Sequence, residues 1–450
     1  MKQGTFASRP RKRRPKKGAK SPQDGRKIDA EVETIGGQGD GLVHLDGALY
    51  FAPDTVPGDR ITARVGAARG GGHVLEDIVR HEDGPTRIRP FCGHAGACGG
   101  CVAQHMSDAA YRLWKVERIG EALTRRGLGD VEIEPLVTTP LGARRRLTLS
   151  AVRRGGKVSL GFNARRAHRV VDLEGCPLAA PALCALFAPL RDLFAALARE
   201  GLALDKAVQV LLTACDGGLD AVFRASCAPN LNMRQRLVDF AARFDLARVS
   251  WDNADGAGPE AIVVHREPYM TFAGTRVALP QGGFLQASAE GERAITAAIA
   301  RRVGGAARIA ELYCGMGSFT FALAQIAPVF AVEGFAPAVR ALERAAGRAG
   351  LGGMIRAEVR DLDRAPLDAR ELKRFDTVVF DPPRAGAAAQ AAALAHGAAR
   401  TIVAVSCNPA TFARDARILV DGGYALQSLT PIDQFAYSAH VELVAGFAKK

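Results

Sequence analysis

Three cysteines crowd one glycine-rich stretch. Cys92, Cys98 and Cys101 form a C-x5-C-x2-C pattern in Phe91-Cys92-Gly93-His94-Ala95-Gly96-Ala97-Cys98-Gly99-Gly100-Cys101. Glycines between the sulfurs let a short loop fold back and aim several thiolates at one centre, which suits zinc or an iron–sulfur cluster. A closed site needs a fourth ligand. Cys176, in Glu174-Gly175-Cys176-Pro177, is the candidate, since a Cys-Pro pair also ends the usual bacterial cluster motif. His94 and His105 are competing ligands that would favour zinc. Three buried, unligated thiols are a poor account of a stretch so rich in glycine and polar residues. Cys184, Cys215 and Cys227 lie in apolar or strand-like settings and read as core.

A second set of candidates sits at the ends of strand-like segments in the last third of the chain. Arg308 to Leu312 enters Tyr313-Cys314-Gly315-Met316-Gly317-Ser318-Phe319-Thr320, a Gly-x-Gly turn followed by a helix start. Such a turn lets backbone approach a ligand closely. Val329-Phe330-Ala331-Val332-Glu333 is a second strand ending in an acid suited to a ribose diol. The third glycine of the dinucleotide fingerprint is missing and there is no Walker sequence. These features suit S-adenosylmethionine better than a nicotinamide cofactor. Asp361, after the next strand-like stretch, either approaches an adenine or is an exposed loop acid. Two further strands run into Asp381-Pro382-Pro383-Arg384 and Ser406-Cys407-Asn408-Pro409, at the carboxyl edge where parallel sheets place ligands. Cys407, between polar neighbours and opposite Asp381, is a candidate nucleophile. Glu442, in His440-Val441-Glu442, could serve as a base.

The elements that must hold these groups follow from composition and pattern. The 450 residues carry 60 Lys and Arg against 47 Asp and Glu, a net charge of +13. Residues 1–27 hold eleven of those bases against Asp24 alone, so ten of the thirteen net charges belong to a basic arm with almost nothing apolar to bury. Such an arm neutralises phosphates without reading sequence. Residues 28–82 alternate in short stretches between Gly, Asp and Pro turns, which reads as a small OB-like β-barrel of about five strands. Helical and strand patterns mix in the middle of the chain. From Arg308 the regular strand–helix alternation predicts a doubly wound parallel sheet. The fold class expected is α/β. It comprises a disordered basic tail (1–27), the barrel (28–82), a central α/β domain carrying the cysteine cluster (83–300) and a Rossmann-like domain (301–450). The longest uncharged apolar run, Pro177 to Leu190, has 14 residues, short of the roughly 20 that a span needs. With no secretory signal and an odd count of nine cysteines, a cytoplasmic location is expected, with no membrane partner.

Taken together these residues resemble the RNA (uracil-5)-methyltransferases that modify ribosomal and transfer RNA, over nearly the whole chain after the tail. The resemblance implies a TRAM-type barrel at 28–82 and a 4Fe–4S cluster held by Cys92, Cys98, Cys101 and Cys176, as in the family's ribosomal branch. It implies S-adenosylmethionine binding by Gln286 in Phe284-Leu285-Gln286, by Tyr313, by Glu333 and by Asp381. Cys407 matches the nucleophile and Glu442 the general base. The implied partner is RNA, ribosomal in preference to transfer RNA; a monomer is expected, though nothing in the residues fixes the oligomeric state. Three departures from the family pattern stand out: Ser288 and Ser318 where asparagine is usual, and Asp433-Gln434-Phe435-Ala436-Tyr437-Ser438-Ala439 before the final histidine.

Two other readings compete. Asp-Pro-Pro also occurs in enzymes that methylate adenine nitrogens, but those follow the prolines with an aromatic residue and need no cysteine; here Arg384 follows. A non-catalytic iron–sulfur RNA-binding protein would use the arm, barrel and cluster, yet leaves Cys407, Asp381 and Glu442 without a shared reason.

Overall fold

The computed structural model describes residues 25–450; the expected basic arm lies, up to residue 24, outside them. Contacts gather into two compact units, Met1–Arg87 and Ile88–Lys450. In the first, Lys27–Glu31, Thr34–Ile35, Gly41–Leu45, Ala48–Ala52, Arg60–Arg69 and Gly72–Glu82 form one six-stranded sheet. Its spatial order is first, fifth, sixth, fourth, third, second, so the first two strands lie at opposite edges. Only Val32 and Glu33 separate them in the chain. The N–H of Val32 donates to Asp59 at 3.0 Å and that of Glu33 to Leu42 at 2.9 Å. The sheet therefore curls until its edges meet, which leaves no long open edge. Ile28, Val43, Tyr50, Ile61, Val65 and Leu75 fill its interior.

The second unit holds two large sheets. The central one has six strands, ordered Lys157–Gly161, Arg146–Arg154, Val208–Cys215, Gly218–Arg224, Leu246–Asp252 and Glu260–Val264. Helices Phe187–Arg199 and Leu231–Arg243 pack on it and on each other. Leu190, Phe194, Leu197, Phe223, Leu237 and Trp251 are buried between. By length and composition the 19-residue stretch Pro181–Arg199 is long and apolar enough to cross a membrane, longer than the sequence count allowed. Here it breaks at Ala185 and Leu186 into two helices whose Leu183, Phe187, Leu190 and Leu193 belong to this core.

The other sheet positions the candidate site. Five parallel strands run in the order Ile355–Val359, Val329–Glu333, Ile309–Leu312, Thr377–Phe380, Thr401–Ser406. Antiparallel Glu442–Lys449 pairs with the last of these, and Tyr424–Asp433 pairs with it in turn. The chain starts at Ile309–Leu312, adds strands to one side and then to the other, so the strand order reverses between 312 and 377. Doubly wound sheets open a crevice at such a reversal. The expected boundary at 300 does not divide the contacts. Glu132–Ile133 and Val137–Thr138 pair in parallel with Tyr424–Asp433, and helix Ala289–Arg302 packs on the same sheet.

Helix Asp108–Thr124 ties the cysteine-bearing segment to this sheet through a buried charge. Lys115 is fully buried, and its Nζ donates to Asp433 Oδ1 at 2.7 Å, to the carbonyl of Phe435 at 3.2 Å and to the carbonyl of His440. Tyr111 donates to the other oxygen of Asp433 and accepts from the Tyr437 N–H at 2.7 Å. Arg118 donates to the carbonyl of Ala439. The segment from Asp433 to His440 is thus clamped along its length. Lys115→Met should cost about 3–5 kcal/mol, because it leaves Asp433 buried without a counter-charge. Urea unfolding of the variant against the parent measures that loss.

Candidate active site

Each candidate group is aimed by the end of a strand. Ile309–Leu312 ends at Tyr313, whose backbone takes φ +62°; Gly315 and Gly317 follow at +58° and +97°. At Gly317 a Cβ would stand 2.6 Å from Leu342 and 2.8 Å from Phe321, so both the conformation and the close approach require glycine. The helix that follows is a single turn, Thr320–Leu323. Glu333, at the end of the next strand, accepts from Gly315 N–H at 3.1 Å and Phe335 N–H at 2.7 Å, which fixes its carboxylate beneath the glycine turn. Asp381 directly follows Thr377–Phe380, and its N–H donates to Leu312 at 3.2 Å. Cys407 directly follows Thr401–Ser406. Its neighbour Asn408 caps helix Pro409–Asp421, accepting from Ala410 N–H at 3.2 Å, and donates to the carbonyl of Arg384 at 3.3 Å. That bond ties the cysteine loop to the loop of the two prolines.

These groups share one cavity of about 570 Å³, a size ordinary for a cofactor site. Gln286, Tyr313, Glu333, Asp381, Cys407 and Glu442 all line it. So does Asp361, an exposed loop acid whose Oδ1 accepts from the N–H groups of Asp363 at 3.1 Å and Arg364 at 3.3 Å. Phe335, Ala338 and Leu362 add apolar surface to the wall that Glu333 lines. Ser318, one of the departures, is also in the wall, whereas Ser288 caps helix Ala289–Arg302, accepting from Gly291 N–H at 3.0 Å.

The electrostatics of the far end are dominated by two buried carboxylates. Burial raises Asp381, against the donor of Gln286; burial and the neighbouring Asp381 raise Glu442, against the donor of Gln434. Burial pushes the Cys407 thiol up to about 11. Glu442 and Asp381 add to that rise, and the Arg384 guanidinium opposes it. Sulfur and both acids therefore feel one another across the same wall. His440 is pushed down to about 4 by burial and by the cations Arg384, Arg118 and Lys115, so it stands neutral.

Sequence reasoning missed several participants. Gln434 and Phe435 stood in a segment noted only for its departures, yet Phe435 lines the cavity and Gln434 bonds two of its walls. Arg145 bonds the carbonyl of Gln286 at 3.0 Å and pairs with Glu292 at 2.6 Å. Its signal was the run Arg144-Arg145-Arg146 before an apolar strand. Glu311, two residues before the glycine turn, is fully buried, and burial together with Asp381 raises its carboxyl to about 8.

The cysteine cluster is only partly assembled. Cys98 and Cys101 each feel the charges of Cys176 and Cys92, so the four sulfurs share a neighbourhood. Among the described residues, however, no group of three or more His, Cys, Asp or Glu side chains is disposed to hold a metal ion. His94, a rival ligand, accepts the N–H of Glu174 at 3.3 Å.

A Gly-x-Gly turn, an acid at the end of the next strand and a wall cysteine meet in one cavity at the switch point of a doubly wound sheet. Residues 278–449 match the family model described as tRNA (uracil-5-)-methyltransferase. The chain is 42% identical to an uncharacterized RNA methyltransferase of Caulobacter vibrioides, over 94% of this chain and all of that one. It is 32% identical to the 23S rRNA (uracil(1939)-C(5))-methyltransferase of Chromohalobacter salexigens, over 91% of this chain and 87% of the relative. Its fold matches the Pyrococcus abyssi tRNA (uracil-54, C5)-methyltransferase solved with S-adenosyl-L-homocysteine, with a TM-score of 0.72 over 94% of this chain and 100% of that one, at 22% identity. The chain belongs to the RNA (uracil-5)-methyltransferase family. It is an S-adenosylmethionine-dependent RNA (uracil-5-)-methyltransferase.

The glycine turn supplies a direct check. Gly317→Ala should lower stability by about 1–3 kcal/mol and weaken S-adenosylhomocysteine binding by about tenfold or more, since the clash with Leu342 and Phe321 in the core and the backbone strain would shift the turn that carries the wall residues Met316 and Ser318. Urea unfolding and titration calorimetry read the two effects separately.

Proposed function

We propose that this enzyme methylates carbon 5 of one uridine in large-subunit ribosomal RNA, with Cys407 as nucleophile and Glu442 as the base that releases the product. The observation that carries the roles is that Cys407 and Glu442 share a cavity wall with Asp381, beyond the glycine turn and Glu333. S-adenosylmethionine supplies an electrophilic methyl on a sulfonium; Glu333 suits its ribose, and Gln286, Tyr313 and Asp381 complete the binding wall. Carbon 5 of uracil is a weak nucleophile on its own. The Cys407 thiolate adds to carbon 6, and the displaced electron pair enriches carbon 5, which takes the methyl. Glu442 then removes the carbon-5 proton, the ring double bond re-forms and the thiolate departs. A uridine held in folded RNA must be flipped out of its stack to reach the sulfur.

The ribosomal assignment is supported by the 32% identical relative, which is named for 23S rRNA, together with the four-cysteine set. A ribosomal substrate also places the enzyme in the cytoplasm. We further assign Cys92, Cys98, Cys101 and Cys176 to a 4Fe–4S cluster. A cubane takes one thiolate on each of four irons, so four cysteines are the number it needs. The surroundings fit such a group. Gly100 N–H points at Cys98 Sγ from 3.4 Å, Leu178 N–H approaches Cys176, and the Arg144 guanidinium lies near Cys176 and Cys101. Donors of this kind stabilise a cluster's sulfurs.

Cys407→Ala should abolish methyl transfer while RNA binding persists, and Glu442→Gln should accumulate a covalent protein–RNA adduct visible on denaturing gels. Mapping 5-methyluridine in total RNA from cells with and without the gene identifies the substrate; loss from transfer RNA alone would overturn the ribosomal assignment. For the cluster, Cys101→Ser should lose bound iron and visible absorbance after anaerobic reconstitution. Retention of zinc with no iron would overturn it.

A further inference from the structure

Asp381 and Glu442 are joined by a directional chain of amides. Gln286 Nε2 donates to Asp381 Oδ2 at 3.1 Å. Gln434 Nε2 donates both to Gln286 Oε1 and to Glu442 Oε2, each at 2.8 Å. Gln434 Oε1 accepts from the backbone N–H of Ala287 at 3.2 Å. That last contact sets every other one. A backbone N–H can only donate, so it pins the oxygen end of Gln434 and leaves the nitrogen to face Gln286 and Glu442. Gln286 must then present its oxygen to Gln434 and its nitrogen to Asp381. Both N–H groups and the oxygen of Gln434 are in use, so the side chain has no second orientation of equal energy.

The packing agrees. Gln434 is 4% exposed. A Cβ on Gly291 would stand 2.7 Å from Gln434 Cβ and 3.0 Å from its Oε1, so helix Ala289–Arg302 reaches the amide only because residue 291 has no side chain. Arg145 steadies the other end of the chain through the Gln286 carbonyl.

We infer that Gln434 is a positioning residue for the release step: by holding one oxygen of Glu442 it leaves the other to meet the carbon-5 proton in the cavity, and it links that orientation to the Gln286 amide on Asp381. The inference rests on the assignment of Glu442 as the base. In the step concerned, a Glu442 oxygen takes the proton from carbon 5, the C–H electrons re-form the carbon 5–carbon 6 double bond, and the Cys407 sulfur leaves with its bonding pair. An N–H donor on Glu442 also favours the ionised form that this step needs. The other charged groups around Glu442 are accounted for. Asp381 and Cys407 face it, the Arg384 guanidinium lines the same cavity against His440 and Cys407, Asp433 on the adjacent strand is committed to Lys115, Glu292 to Arg145, and His440 is neutral.

Gln434→Met keeps the length of the side chain and removes the donors. In single-turnover reactions with S-adenosylmethionine and substrate RNA, adduct formation and decay are followed on denaturing gels. Decay of the Gln434→Met adduct should be about tenfold slower near pH 7, with its acidic limb moved up by about one unit and the difference from wild type closing above that limb. A merely structural role would slow formation and decay alike at every pH. Gly291→Ala, which crowds Gln434 without deleting it, should move the limb in the same direction and covers the case in which Gln434→Met does not fold. Glu442→Gln is run beside them. If it accumulates no adduct, the base assignment fails; if it does, and both other variants decay with the wild-type rate and limb, Gln434 has no positioning role.

Discussion

The buried pair of Lys115 and Asp433 is the contact on which the rest of the site depends. Asp433 ends one strand of the large sheet, and Glu442 opens its antiparallel neighbour. Between them the chain makes an irregular excursion that must leave Phe435 and Glu442 in the cavity wall. An excursion of this kind has few ladder hydrogen bonds of its own. A cation inserted from helix Asp108–Thr124 replaces them by meeting one carboxylate and two carbonyls at once. A charge so deeply buried is tolerable only when its partners saturate it, and here they do.

The same helix follows the cysteine loop by a few residues, so the clamp has a structural reach beyond the sheet. Val102 N–H donates to the carbonyl of Tyr437 at 2.7 Å, Phe91 meets the Tyr437 ring edge-on at 5.1 Å, and Tyr437 stacks on Tyr111 at 4.8 Å. The cysteine segment and the segment leading to Glu442 are thus one packed body. This arrangement also explains why contacts cross residue 300 freely: the front of the second unit supplies strands, a clamp and a helix to the sheet at its back.

Much of the site could be read directly from the chain because strand-end chemistry is local. Glu333, Asp381 and Cys407 each follow an apolar β-rich run, and in a parallel sheet all such runs end at one edge. The glycines at 315 and 317 were legible as a Gly-x-Gly turn after a strand, and at 317 positive φ and close packing leave no other residue type. Gln434 and Arg145 were opaque. An amide or a guanidinium in a mixed segment carries no periodic signal, and its importance comes from partners about 150 residues away in the sequence, Gln286 for Gln434 and Glu292 for Arg145. The barrel was legible as short strands between turns, but the edge closure at Val32 and Glu33 was not, because register is set by pairing across the sheet.

By itself, then, the sequence determined the kind of chemistry: a thiol, an acid and a glycine turn in the order of one methyltransferase family, on strands whose ends had to coincide. The tertiary structure alone decided how those groups are tuned. Burial raises both carboxylates and the thiol, the backbone N–H of Ala287 orients a pair of amides between the acids, and Lys115 reaches in from another element to hold the loop. Residue type and spacing are carried along one dimension. Desolvation and hydrogen-bond direction depend on what the fold brings alongside, and no stretch of chain contains its own surroundings.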